Sequence, residues 1–387
     1  MGSATTAPMS HRLKILHIIS SRESGTACEL DAFAERLAQN GFDTKTCILT
    51  STQALRRPFD VAAYFAAARM IRQFRPDVVH TWDHAAHLYA ASQYTATRII
   101  AEKRSPQLPT RNPLIARLRQ YLDRRTDRFI VPHKVCDCPK TLEIPPAAVP
   151  LPYSEPMPTE EFLAKYDVPS VETSGNYYPV FEPQYDPTRR NYTPRPANPT
   201  PFLIGITLPL CSEHRILDAL WVCETLNHVH LNFHAFFIGD GKDREEFLRY
   251  RDRWKLFSRV HFLGNSKDAH RLLPNFDVLL HLSPASEYSG AILSAMYCGV
   301  PVIALETAES RAYILDGASG MLIPDGGDHR FYRRTAAKRL LYLLENEEFR
   351  RSMQRIARER VAGEFNFDTA FERRVGVYRE GFERYPS

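Results

Sequence analysis

The chain has 387 residues, 44% of them apolar, enough to fill two hydrophobic cores and to argue for two domains. A net charge of only +5, with no recognition module beside it, excludes nucleic acid as the expected partner. No signal peptide opens the chain and no apolar run approaches the length of a membrane span, so a cytoplasmic protein, at most peripheral to a membrane, is expected.

Residues 1–8 are small and polar and read as a disordered lead. A strand is expected at 13–20, followed by a helix in which Leu30, Phe33, Ala34 and Leu37 form the stripe and Asn40-Gly41 the stop. Further strands are expected at 44–50, 77–82, 98–103 and 128–132. Asn112-Pro113 starts a helix whose buried stripe is Leu114, Leu118, Tyr121 and Leu122. Across 98–134 basic residues such as Lys103, Arg104, Arg111, Arg117 and Lys134 outnumber Glu102, Asp123 and Asp127. That excess is either a solvated basic face or a contact for an anionic partner, including a membrane surface. The first domain spans 12–150.

Prolines from Pro145 to Pro199 then interrupt the chain, and at that density they argue against regular helix or central strand. Residues 151–200 read as an irregular linker whose Tyr153, Tyr166, Tyr177, Tyr178, Phe181, Tyr185 and Tyr192 pack on a surface. A second domain is expected over 201–365 and a last helix over 366–387. Alternating strand and helix in both halves is the mark of doubly wound α/β domains. The seven cysteines, Cys28, Cys47, Cys136, Cys138, Cys211, Cys223 and Cys298, have no framework spacing and read as buried thiols. Cys136-Asp137-Cys138 is too tight for an ordinary zinc pair, so no metal is expected.

The most informative stretch is DVLLHLSPASEYSGAILSAMYCGVPVIA at 277–304: a buried strand, a turn of small residues, a helix with Ile292, Leu293 and Met296 in its stripe, and a second strand. Free N–H groups at the start of such a helix can hold a phosphate or a sugar hydroxyl, or Ser289 and Gly290 simply cap it. Upstream, FFIGDGKDREEFL and RVHFLGNSKDAHRLLPNFDVLLHLSP add strand, glycine turn and helix; downstream lies AMYCGVPVIALETAESRAYILDGASGMLIPDGGD. Together these stretches resemble the donor half of retaining GT-B glycosyltransferases of family four (group 1). LKILHII, SGTACELDAFAERLAQNGFD and RPDVVHTWDHAA resemble its acceptor half.

The resemblance implies a GT-B fold: two Rossmann-like doubly wound parallel-sheet domains facing a cleft, with a C-terminal helix crossing back to the first domain. It implies transfer of a sugar from a nucleotide-sugar donor to a hydroxyl acceptor with retention, in glycan or polysaccharide synthesis. The donor phosphate itself takes the acceptor proton, so no catalytic residue is assigned, and no cofactor beyond the nucleotide-sugar co-substrate is implied. The acceptor would be a glycan, a lipid-linked group or another anionic molecule.

The family's donor site uses an arginine, a lysine and two glutamates. Ungapped alignment sets Ile206 and Cys211 at the two cations and Ser286 and Ser294 at the two acids. A one-residue slip returns Glu287 to the first acid position, and a bent loop brings His214 or Arg215 toward the phosphates. The donor-contact candidates are therefore Gly25, Arg104, Gly205, Arg215, Ser286, Glu287, Ser289, Gly290, Ala291 and Ser294. The acceptor-contact candidates are His80, Asp83 and His84, with capping by Asp83 and a packed His80 as the alternative roles. The four departures keep a second class of function open: a catalytically inactive pseudo-glycosyltransferase serving as a glycan-binding or scaffold protein.

Overall fold

A computed structural model describes residues 12–20, 27–49, 60–93, 97–102, 113–131, 140–143, 157, 159–166, 168, 201–229, 232–265, 269–284 and 290–380. The chain divides into two units. The first comprises Met1–Val149, Glu287–Gly290 and Phe365–Ser387; the second comprises Pro150–Ser286 and Ala291–Glu364.

The first unit runs β1 (Lys14–Ile19), α1 (Ala27–Gln39), β2 (Asp43–Ile48), α2 (Val61–Phe74), β3 (Val78–Thr81), α3 (His84–Ala91), β4 (Arg98–Glu102), α4 (Pro113–Arg124), β5 (Arg128–Val131) and β6 (Thr141–Glu143). The second runs α5 (Thr159–Lys165), β7 (Phe202–Thr207), α6 (Ile216–Val229), β8 (Phe233–Ile238), α7 (Arg244–Arg253), β9 (Val260–Gly264), α8 (Ala269–Leu272), β10 (Val278–His281), α9 (Gly290–Cys298), β11 (Val302–Leu305), α10 (Ala308–Tyr313), β12 (Met321–Ile323), α11 (His329–Glu345) and α12 (Glu347–Glu364). Helix α9 begins on the last residue assigned to the first unit, and α13 (Phe367–Arg379) returns to the first unit.

Each unit holds one six-stranded parallel sheet, ordered β2-β1-β3-β4-β5-β6 in the first and β12-β11-β10-β7-β8-β9 in the second. Near-continuous burial along β1, β3, β8, β10 and β11 is what a parallel sheet covered on both faces requires. In the first sheet the two-residue period sends Ile15, Ile19, Val78 and Trp82 to one face, with α1 and α13. Leu16, Ile18 and Val79 go to the other, with α2 and α3. Helix starts are set by local polar groups. The Asp60 carboxylate accepts from the Ala62 and Ala63 amides at the start of α2, and Thr307 and Ser310 form a reciprocal capping box on α10.

Several sequence expectations need correction. The proline-rich tract does contain a helix, α5, because the interval between Pro158 and Pro169 is free of proline. Its Phe162 is fully buried, 4.9 Å from Phe236 and 5.9 Å from Phe276 between ring centroids, and Tyr166 lies 5.9 Å from Phe236. Asn275 anchors the same stretch by donating its side-chain amide to the Met157 carbonyl at 3.0 Å. The other tyrosines expected to pack, and Phe181, lie outside the described residues. Tyr121 is 46% exposed, so it leaves the proposed stripe of α4, in which Leu122 is buried. Strand β6 was not anticipated; three residues at a sheet edge carry too little pattern to read. Part of the basic excess is already engaged: Arg98 donates to the Tyr378 carbonyl and Arg128 pairs with Glu380 at 3.1 Å, both beside α13.

Candidate functional site at the carboxyl edge of the second sheet

In open parallel sheets ligands bind outside the carboxyl ends of the strands, where the strand order reverses. In the second unit that point lies between β7 and β10, since the chain passes from β7 to β8 on one side and later to β10 on the other. Leu279 pairs with Gly205, and continuing that register by two residues sets His281 beside Thr207.

After β7 the backbone runs through a 3-10 turn, Ser212–His214, closed by Arg215 in the left-handed region at φ 55. The turn is tied down by Asp243, which accepts from the Ser212 amide at 2.7 Å and from its hydroxyl at 2.9 Å. The glycine turn after β8 lies against the same loop: a Cβ on Gly239 would run into the Leu208 carbonyl. His214 Nδ1 and Ser283 Oγ share a hydrogen bond at 2.9 Å, joining the β7 loop to the end of β10. His281 is 6% exposed, and burial, reinforced by His214, pushes its pKa down to about 4. Its Nδ1 and the Thr207 Oγ1 are buried with no hydrogen-bond partner.

Arg215 stacks over the Tyr332 ring at 4.3 Å and reaches Asp218 Oδ2 at 3.3 Å. Asp218 is buried and also accepts from Arg333 Nε at 2.6 Å and pairs with His329 Nδ1 at 2.8 Å. The Tyr332 hydroxyl donates to Asp325 at 3.0 Å, and the Gly326 amide beside it helps hold the Asp325 carboxyl below its usual range. Arg215 is thus a cation fixed in place by an aromatic face and carboxylates at the site's edge.

The candidates read from sequence fall out as follows. Arg215 and the start of α9 at Gly290 lie in the second sheet's connections, with Ala291 and Ser294 half-buried in α9. Gly205 is a correction: it sits inside β7, and a Cβ there would collide with the Phe276 ring, so it serves packing and not ligand approach. Ile206 is buried in the core and burial raises the Cys211 thiol, so neither offers a charge. Gly25, Arg104, Ser286, Glu287 and Ser289 lie outside the described residues.

In the first unit the acceptor-contact candidates separate. His80 is fully buried and shares a 2.6 Å hydrogen bond through Nδ1 with the Tyr378 hydroxyl of α13, which corrects its expected role as an acceptor contact. Around it Arg374 bridges Glu102 at 2.9 Å and Glu29 at 3.0 Å. The Trp82 indole donates to His17 Nδ1 at 3.1 Å, and burial keeps His17 neutral. Asp83 caps α3 through the Ala86 amide and accepts from the Ser20 amide at 2.7 Å, while His84 stays exposed at the helix start. Sequence reasoning did not single out Thr207 and His281, whose unpartnered atoms end β7 and β10. The available signal was one histidine in the otherwise apolar run VLLHL.

Comparison with known proteins agrees with this geometry. Residues 213–346 match the family described as glycosyl transferases group 1. The N-acetyl-alpha-D-glucosaminyl L-malate synthase of Bacillus anthracis is 29% identical over 36% of this chain and 36% of its own length. The trehalose synthase of Pyrococcus horikoshii is 30% identical over 26% of this chain and 23% of its own length. The matches therefore span about a third or less of these relatives. Among solved structures, Anabaena HepE bound to UDP-glucose superposes with a TM-score of 0.70 at 15% identity, over 95% of this chain and 99% of that one. Sucrose-phosphate synthase from Thermosynechococcus elongatus superposes at 0.71 and 14% identity, over 96% and 100%. The strand orders and these likenesses converge on one statement: the chain has the GT-B fold, and its residues 213–346 match the glycosyl transferases group 1 family.

Proposed function

We propose that the protein transfers a sugar from a nucleotide-sugar donor to a hydroxyl acceptor, with retention, in glycan or polysaccharide synthesis. The observation that carries this reading is the β7–β10 switch point, inside the family-matched region for the most part, where His214 meets Ser283 and His281 and Arg215 is next in the chain. Loss of a nucleoside diphosphate puts charge on the leaving phosphate oxygens, and a fixed cation beside them lowers that barrier. Arg215, next to His214 and held by Tyr332 and Asp218, supports this reading as the cation that would do so. HepE, solved with UDP-glucose, supports a nucleotide-sugar as the class of ligand. The acceptor in this reading is a glycan, lipid-linked or otherwise anionic, and the basic stretch 98–134 is its approach or a peripheral membrane contact.

Calorimetric titration with UDP-, GDP- and ADP-sugars tests the reading. One of them binds saturably, and Arg215→Ala weakens it about 10–100-fold, as expected for a charged contact of about 1.5–3 kcal/mol. A second reading, a glycan-binding scaffold without transfer, draws support from Ile206 and Cys211, which place no charge near the crevice. It predicts no nucleotide-sugar binding at millimolar ligand together with retained binding of oligosaccharides.

A further inference from the structure

His281 Nδ1 and Thr207 Oγ1 end adjacent strands, both buried and both without a hydrogen-bond partner. Native proteins seldom leave such groups unsatisfied, and a ligand's oxygens or ordered water complete them. The His214–Ser283 hydrogen bond ties the loop after β7 to the end of β10.

The charged groups of the surrounding elements are engaged with one another, except that Arg215 keeps a buried Nε without a hydrogen-bond partner. On the 3-10 turn Glu213 pairs with Lys242 at 2.6 Å, and Arg215 reaches Asp218 while covering Tyr332. In the loop after β8, Asp243 accepts from Ser212, and Asp240 lies 4.0 Å from Arg244. At the end of β11, Glu306 pairs with Arg311, and helix α9 contributes neither carboxylate nor cation. Glu287 lies outside the described residues. A doubly negative ligand group entering this crevice therefore meets imidazoles in place of a second fixed cation.

We propose that the donor's diphosphate is received by His281 and His214 as imidazolium groups, so that donor binding takes up a proton from solution. The inference rests on the nucleotide-sugar reading above. Each ring that is neutral beforehand takes one proton from solvent onto a ring nitrogen, and no other bond forms or breaks. Without ligand, burial and the neighbouring His214 keep His281 neutral; an anion within hydrogen-bond reach supplies the opposite charge that the imidazolium lacks. Linkage then tightens binding as the pH falls from about 8 to about 6.

The test is calorimetric titration of the full chain with UDP-glucose at neutral pH, in two buffers of different ionisation enthalpy. GDP-mannose and ADP-glucose serve in parallel. The phosphates of these sugars stay fully ionised throughout, so any uptake reports on the protein. The expected result is uptake of up to about two protons, one for each imidazole, and affinity that rises several-fold from about pH 8 to about pH 6. His214→Gln and His281→Gln keep a hydrogen-bonding group but cannot carry the charge, and both lower the uptake and flatten the pH profile. Circular dichroism confirms folding, and if His281→Gln does not fold, His214→Gln decides. Binding without uptake, or uptake unchanged in the folded variants, overturns this inference alone. No binding of any of the three sugars overturns the nucleotide-sugar reading and this inference with it.

Discussion

Arg374 shows how much one side chain can hold in the first unit. Its side chain is 2% exposed, its guanidinium bridges Glu29 and Glu102, and its charge lies 5.6 Å from the centroids of both the Phe33 and Trp82 rings. A charge buried at that depth is tolerable only while it is paired, and removing one partner leaves carboxylates that water cannot reach. Arg374→Met is expected to lower stability by about 3–5 kcal/mol, read from urea denaturation, with part of the loss restored by adding Glu102→Gln. An unchanged urea midpoint would show that these carboxylates are solvated in solution. None of this was legible in the sequence, where Arg374 is one arginine in a helical segment rich in them. His281 is the opposite case: its burial followed directly from the apolar run around it, and only its lack of a partner needed coordinates.

At the scale of elements, hydrophobic period located the first five strands of the first unit to within about two residues. The expected 98–103 became Arg98–Glu102 and the expected 128–132 became Arg128–Val131. The exception that matters is α5, whose seven residues sit between prolines and owe their order to packing. Phe162 does that packing, against Phe236 on β8 and Phe276 just before β10. Phe162→Ala is expected to cost about 3–5 kcal/mol and to speed hydrogen exchange across Thr159–Lys165, measured by mass spectrometry. Exchange that stays slow in the variant would mean that the helix is held by other contacts. Gly205 belongs to the same cluster, because its missing side chain is what lets Phe276 lie flat on β7.

At the scale of the whole molecule, buried neutral histidines set the response to acid. Burial pushes His234 down to about 3 and His281 to about 4, and holds His17 well below its usual value. Their folded-state pKa values lie below the unfolded value of about 6.5, so between these limits the unfolded chain binds more protons. The stability linked to these groups is complete above about pH 6.5 and is lost as the pH falls toward 4 and 3. The urea midpoint is expected to drop steadily from pH 7 to pH 5, and His281→Gln to reduce the slope. A midpoint flat over that interval would contradict the burial of these rings.

The sequence by itself determined the alternation of strands and helices, the two cores and the likeness of the second half to group 1 glycosyltransferases. These features are carried by hydrophobic period and by motifs whose residues are close in the chain. Only the tertiary structure decided which polar residues meet. Glu29 and Arg374 are 345 residues apart, His80 and Tyr378 are 298 apart, and His214 reaches Ser283 across 69. No local pattern encodes such pairs, because each depends on which strand edges and helix faces the folded sheets bring together. The same reason separates Gly205 and His80, expected as ligand contacts from motif and strand-end position, from Thr207 and His281, whose unpartnered polar atoms lie at the end of the sheet.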